Sequence, residues 1–456
     1  MISRRNFMRQ SGLAVAGMSG LQLATLNSMA SGELLRDPGF GELVPDPNNI
    51  MSLPKGFSYK VISTRGQTMD DGIKLPDKPD GMATFEGPGG ECILIRNHEM
   101  NVDMGSADHA NILKLPKEKI YDYGKGETPS VGGCTTLVYD TKKQEVIRQF
   151  MSLAGTDRNC AGGPTPWGTW VTCEESITKP RSLKRKRGMV HYEQAHGYAF
   201  EVPATVEPAL ADPVPLKEMG RFRREAIAVE PESGMVYQTE DEHEGLITRF
   251  IPKEKGNLAA GGKVEALVVK GQDGMDTRNW KAQSINVGEP MKVEWIEVPA
   301  DTSEDGGLRF YGRKRGAAIF ARGEGIWYGD DGYMYFACTN GGKKQLGQIW
   351  RLKPDVDGGE LELFVEPNDS SLVVNADNVT FAPFGDLIIC EDRKGDVIRL
   401  VGVTPEGKIY TFANNHKGTE LCGAVFSPDE TTMFVNLQHT GMTLAITGPW
   451  DKKLGA

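Results

Sequence analysis

One short pattern recurs six times along the 456 residues and limits the fold more than any other feature. It runs from a polar or thiol residue and a small residue into a mostly apolar stretch. A turn containing Gly, Pro or Asp follows, then a second apolar run that ends in polar groups. The copies span 80–99, 160–175, 225–241, 324–340, 377–392 and 422–439. Each reads as a β-hairpin, because turn residues separate two short apolar runs. Third strands follow at 197–202, 246–251, 348–352 and 397–401, and fourth strands at 362–365 and 408–412. Repeated units of about four strands predict an all-β, six-bladed β-propeller with loop insertions. The 55 glycines, far above a usual ~7% of residues, suit a chain with that many turns. The last copy lacks a fourth strand, while 57–63 reads as a strand with no blade of its own. Pairing of 57–63 beside 443–447 is therefore expected to close the ring and remove exposed strand edges.

The first thirty residues read as a leader. Ser3-Arg4-Arg5-Asn6-Phe7-Met8 is a twin-arginine pattern, and a weakly apolar stretch follows that ends in Ser28-Met29-Ala30. The small-x-small ending suits a signal peptidase, and the stretch is too short and too rich in Gly and Ser for a membrane span. Residues 1–30 are thus expected to be a twin-arginine signal peptide that engages the twin-arginine export machinery. The mature chain, 31–456, is expected to be a single propeller domain, periplasmic or secreted, with no membrane span. A net charge of −10 argues against a nucleic-acid partner. Seven cysteines cannot all pair, and none has CxxC spacing, so most are expected as buried thiols.

The innermost strand of each blade lines the central channel. The repeat therefore sets Asp80, Cys160, Glu225, Glu324, Asp377 and Cys422 in a ring at one channel end. Polar ends of the second strands, such as Glu174-Glu175, Glu240-Asp241 and Glu391-Asp392, return to the same face. Carboxylates so crowded repel one another and are costly to bury unless a cation joins them. Oxygen-only clusters suit calcium, and a thiolate at Cys160 suits iron. The candidate metal ligands are Cys160, Glu174, Glu175, Glu225, Glu324 and Asp377. Arg158 and Arg322 stand beside the ring, as do Arg224 and Arg393. A guanidinium there serves either to grip a phosphate or to neutralise the carboxylates. No HExxH or GxSxG pattern is present to suggest zinc-protease or serine-hydrolase chemistry.

The stretch 158–175, Arg-Asn-Cys-Ala-Gly-Gly-Pro-Thr-Pro-Trp-Gly-Thr-Trp-Val-Thr-Cys-Glu-Glu, closely resembles the signature of the PhoX alkaline phosphatases. Arg96-Asn97-His98-Glu99, Phe320-Ala321-Arg322 with Glu324, Phe426-Ser427-Pro428-Asp429 and Gln438-His439-Thr440-Gly441 also resemble that family, as does the twin-arginine leader. The resemblance implies a six-bladed propeller with a mixed iron–calcium cluster. It implies hydrolysis of small phosphate monoesters by attack of a metal-activated oxygen at phosphorus. It matches Cys160 to an iron-binding cysteine, Glu225 and Glu324 to metal-binding glutamates, and Arg322 to an arginine near the phosphate. Arginines would then offset transition-state charge. Two other readings use the same ring: a calcium-dependent lactonase or esterase propeller, which needs no thiol, and a non-catalytic binding propeller.

Overall fold

The computed structural model describes residues 35–300 and 307–454. The expected leader, 1–30, lies outside them. Among the described residues no helix is long and apolar enough to cross a membrane. The described chain is an all-β, propeller-like arrangement of antiparallel sheets. It carries two α-helices, α1 (Ser106–Ile112) and α2 (Gly307–Lys314), in connections between strands.

Six hairpins are present where the repeat expects them. Their first strands are Pro79–Glu86, Asn159–Pro164, Arg224–Val229, Gly323–Tyr328, Ala376–Phe381 and Leu421–Phe426. Each lies beside the next in that order, and the sixth returns to the first. Small residues allow the close approach. A Cβ on Gly81 would sit 2.6 Å from the Cα of Ala161, and one on Gly325 would sit 2.7 Å from the nitrogen of Val379. Ser58–Thr64 pairs antiparallel with Met442–Thr447, so an early strand completes the sixth hairpin's sheet.

The sheets do not separate into uniform four-stranded blades. Among the described residues two sheets have four strands, one has three and one has two, while the remaining two have six and nine. The nine-stranded sheet arises because Met291–Val298 pairs with Gly262–Val269 on one edge and with Gly359–Val365 on the other. It thereby joins the outer edges of the third and fourth hairpin units. In the six-stranded sheet, Met51–Pro54 and Leu43–Val44 extend the fifth unit beyond Ile409–Asn415. Each addition pairs an edge that would otherwise be left open.

The core is distributed between neighbouring sheets. Phe320, Phe336, Trp350 and Leu352 fill one interface, and Ile388, Leu400, Phe412, Val435 and Leu444 another. Each such side chain contributes roughly 1.5–3 kcal/mol of hydrophobic stabilisation. An aromatic cluster ties this early strand to the last part of the described chain: Phe57 packs edge-on against Trp450 at 4.7 Å and against Phe412 at 5.3 Å. All seven cysteines are buried free thiols.

Candidate metal centre

The same irregularity recurs at one end of all six hairpins. The register slips between Pro79 and Met82, Asn159 and Gly162, Arg224 and Ile227, Gly323 and Ile326, Ala376 and Val379, and Cys422 and Val425. A bulge inserts an extra residue and re-aims side chains out of the regular ladder. Asp80, Cys160, Glu225, Glu324 and Asp377 occupy these bulges, and Cys422 opens the sixth.

A second feature is repeated around the ring. The backbone N–H groups of Glu99, Glu175, Asp241, Thr339, Asp392 and Gln438 donate to the carbonyls of Lys78, Arg158, Arg223, Arg322, Asn375 and Glu420, at 2.9–3.3 Å. These six acceptors each stand two residues before a ring residue. Lys78, Arg158, Arg322 and Asn375 reach this position with φ of 48–55°. A non-glycine residue held there costs about 1–3 kcal/mol and persists only where its surroundings fix it.

The bulges bring carboxylates into two clusters. Glu225, Glu324 and Asp377 each place an oxygen within 4.8 Å of the others. Asp80, Glu420 and Cys422 do the same with two oxygens and a sulfur. Burial pushes the carboxyls of Asp80, Glu225 and Glu324 well above the ordinary range, and neighbouring carboxylates push them further. Asp377 is pushed up to about 8 by burial and then by Asp392. Glu420 is pushed to about 9 by burial and Asp392, and Glu175 to about 8 by burial despite the opposing pull of Arg158. Such values mark groups that lack enough positive charge nearby. Bound cations would supply it, and the oxygen-rich donor set fits hard divalent ions.

Cys160 borders the first cluster. Burial raises its thiol well above the usual range, and Glu225 adds to the effect. Its Sγ lies 3.5 Å from the carbonyl oxygen of Glu225 and 3.6 Å from that of Arg224. Among the described residues it belongs to neither ligand group within 4.8 Å.

The two candidate arginines each bridge a pair of carboxylates. Arg158 Nη2 is 2.7 Å from Glu99 Oε1 and 2.5 Å from Glu175 Oε2. Arg322 binds Asp241 through Nε at 2.6 Å and Nη2 at 2.9 Å, and reaches Glu324 Oε1 at 3.0 Å. Burial lowers both guanidinium values, and the carboxylates outweigh it to hold them above the ordinary value.

Glu174 stands apart from the other residues expected as ligands. Its Oε1 accepts from Asp157 N at 2.9 Å and lies 2.7 Å from His196 Nδ1, and its Oε2 accepts from Gly197 N at 2.8 Å. Glu240 and Glu391 behave alike, bonding Leu246 N and Arg399 respectively. Successive residues on a strand point to opposite faces. Only the second acid of each pair, Glu175, Asp241 or Asp392, therefore faces the ring. That alternation was the available signal for Asp241 and Asp392. Glu99, Glu420 and Gln438 were missed as site residues. Gln438 Nε2 donates to Asp80 Oδ2 at 2.7 Å and to Glu99 Oε2 at 3.0 Å.

Residues 38–441 match the family Alkaline phosphatase PhoX. The chain belongs to the PhoX family. This is a family of metal-dependent phosphatases, and the match spans all six hairpins. No curated protein matches the chain. Among solved structures, Pseudomonas fluorescens PhoX in complex with vanadate, a transition state analogue, is 20% identical. It superposes with a TM-score of 0.67 over 91% of this chain and 98% of its own, so the two PhoX proteins share a fold. A Bacteroides thetaiotaomicron protein of unknown function is 10% identical with a TM-score of 0.42, covering 86% and 76% of the two chains. A gluconolactonase from Xanthomonas campestris is 12% identical with a TM-score of 0.34, covering 86% and 100%. Neither of these two likenesses carries weight at that level.

Proposed function

We propose that this chain hydrolyses phosphate monoesters at the channel end where the six bulges meet. The six hairpin units are read as six blades of a single propeller over 31–456. The observation that carries the reading is the pair of carboxylate-rich clusters, each starved of positive charge, flanked by arginines in a member of a metal-dependent phosphatase family. Calcium is proposed for the carboxylate oxygens of Glu225, Glu324, Asp377, Asp80 and Glu420. Iron is proposed beside Cys160, whose thiolate suits a softer ion. When bound, these metals supply Lewis acidity towards phosphoryl oxygens and activate the attacking oxygen.

The chain's own residues perform the remaining work. Arg322 is held by Asp241 and Glu324 at the edge of the first cluster, with its guanidinium plane fixed by two bonds to one carboxylate. A plane fixed in this way holds its Nη1 donors in place to meet a phosphate oxygen and to offset its charge as it builds. Arg158, on the second hairpin and tied to Glu99 and Glu175, is assigned the same task from across the third. The carbonyl-anchored positions of both arginines limit their movement, so little ordering remains to be done when substrate arrives. Export through the twin-arginine route to the periplasm or beyond is part of the proposal, on the strength of the leader pattern in 1–30.

The test is phosphate release from p-nitrophenyl phosphate by purified protein, alongside its elemental composition. Activity with both calcium and iron present is the expected result. Calcium alone, with lactone hydrolysis and no phosphate release, would overturn the reading in favour of a lactonase.

A further inference from the structure

The six carbonyls that anchor the second strands belong to equivalent positions, one per hairpin. Their backbone groups occupy matching places around the channel mouth, and Lys78, Arg158, Arg322 and Asn375 also share the left-handed φ of 48–55°. Four consecutive hairpins place a cation there, Lys78, Arg158, Arg223 and Arg322. The last two place an amide, Asn375, and a carboxylate, Glu420. At these six positions one arc is cationic and the opposite arc is not; on that opposite arc Arg393 stands one residue past Asp392, 3.9 Å from Glu391. The four cationic side chains are similarly open to solvent, at 29%, 35%, 37% and 30% respectively.

The four are not equally engaged. Arg158 and Arg322 each bridge two carboxylates at 2.5–3.0 Å. Lys78 Nζ lies 3.8 Å from Glu99 Oε2, and Arg223 Nε lies 3.2 Å from Glu242 Oε1. Ion pairs this exposed and this loose hold a side chain by only about 0–1 kcal/mol. An arriving anion competes with them readily. Arg223 also stands between the hairpins of Arg158 and Arg322, while Lys78 stands on the far side of Arg158.

We propose that Lys78 and Arg223 bind a second anionic group of the substrate. The preferred substrates are then phosphate esters that carry a further phosphate or carboxylate beyond the one being released. This rests on the phosphatase reading above and adds the substrate class to it.

The test compares glucose 6-phosphate with glucose 1,6-bisphosphate, which share a sugar and differ by one phosphate. Steady-state phosphate release is measured for the metal-loaded wild type, for the loss variants Lys78→Ala, Arg223→Ala and Arg223→Gln, and for Arg223→Lys as the conservative control. The expected result is a rise of roughly tenfold in KM for the bisphosphate in each variant, the size of a lost charge-assisted hydrogen bond. KM for glucose 6-phosphate should stay within about twofold, and Arg223→Lys should recover most of the loss. Equal shifts for both substrates, or no shift for either, would overturn the proposal. A wild type that releases phosphate from neither sugar, nor from p-nitrophenyl phosphate, overturns the phosphatase reading itself, whereas activity on p-nitrophenyl phosphate without a preference for the bisphosphate overturns only this proposal. Both side chains are partly exposed, so unchanged thermal melts serve as the check on folding.

Discussion

The side-chain amide of Asn97 donates to the carbonyl of Ala161 at 2.8 Å, crossing from the first hairpin to the second. Its other N–H reaches the carbonyl of Cys160 at 3.2 Å, and its oxygen accepts from Trp170 Nε1 at 2.8 Å and from Cys134 Sγ at 3.2 Å. Asn97 is fully buried, so the bulge that carries Cys160 hangs on one satisfied amide. Asn97→Ala removes the side-chain partner of two carbonyls and of an indole N–H. Each buried polar group left unpaired costs about 1–3 kcal/mol. The expected outcome is a lower melting temperature together with loss of iron before loss of calcium, read by thermal denaturation and elemental analysis. Unchanged iron content would show that the bulge keeps its shape without Asn97.

The crowded carboxyls make a pH prediction for protein stripped of metal. Asp377 and Glu175 sit at about 8 and Glu420 at about 9 in the folded chain, above the ordinary carboxylate range of an unfolded one. Between those limits the folded state holds more protons than the unfolded state. Stability is therefore full below the ordinary carboxylate range and falls as pH rises towards about 9. Melts of chelated protein from about pH 5 to about pH 9 should show a steady decline. Added calcium should flatten it, because bound cations hold the carboxylates ionised. A metal-free protein that grows more stable over this interval would rule out the clusters as drawn.

Much of this architecture was legible because its signals are local. Turn residues such as the glycine of Asp330-Asp331-Gly332 stand between alternating apolar runs, and Gly332 takes the left-handed φ of 83° that the turn needs. What was illegible depends on distant partners. Nothing within 291–298 announces that it pairs with both 262–269 and 359–365, since the partners are far apart in sequence. The bulges were equally hidden, because a one-residue slip leaves no mark on composition, yet they aim every ring residue. The repeat located Glu174 and Glu175 together at the right end of the strand. Only strand alternation, fixed by the register of Asn159 opposite Glu174, decides that Glu175 faces the ring.

Substitutions within the first cluster should separate stability from activity. Glu225→Gln removes one of three close carboxylates and relieves their repulsion without changing volume. Metal-free protein carrying it should melt at or above the wild-type temperature at alkaline pH. Phosphatase activity should fall by about two orders of magnitude or more, as for loss of a group that stabilises charge at the reacting centre. Cys160→Ser should retain the fold and calcium but lose iron, since a hydroxyl is a poorer ligand for it. Full iron content in Cys160→Ser would remove the thiol from the ligand set.

His196 lies fully buried between two carboxylates, 2.7 Å from Glu174 Oε1 and 3.1 Å from Asp122 Oδ2. Burial pushes the imidazole down, but Glu174 and Asp122 outweigh it and raise it to about 10. The cation is thus present at neutral pH, and its contribution fades only as pH rises through about 10. Asp122 also accepts from the backbone N–H groups of Gly124, Glu193 and Gln194, and Glu174 from Asp157, Gly197 and Tyr198. One imidazolium therefore joins two loops to the turn that carries Arg158. His196→Ala strands two buried carboxylates and should cost about 3–5 kcal/mol, the usual effect of breaking a buried ion pair from one side. His196→Ala combined with Glu174→Gln and Asp122→Asn should recover part of that loss, because no unpaired charge remains. Chemical denaturation of the single and triple variants measures both. A single variant within about 1 kcal/mol of wild type would mean that the imidazole is neutral in the folded chain.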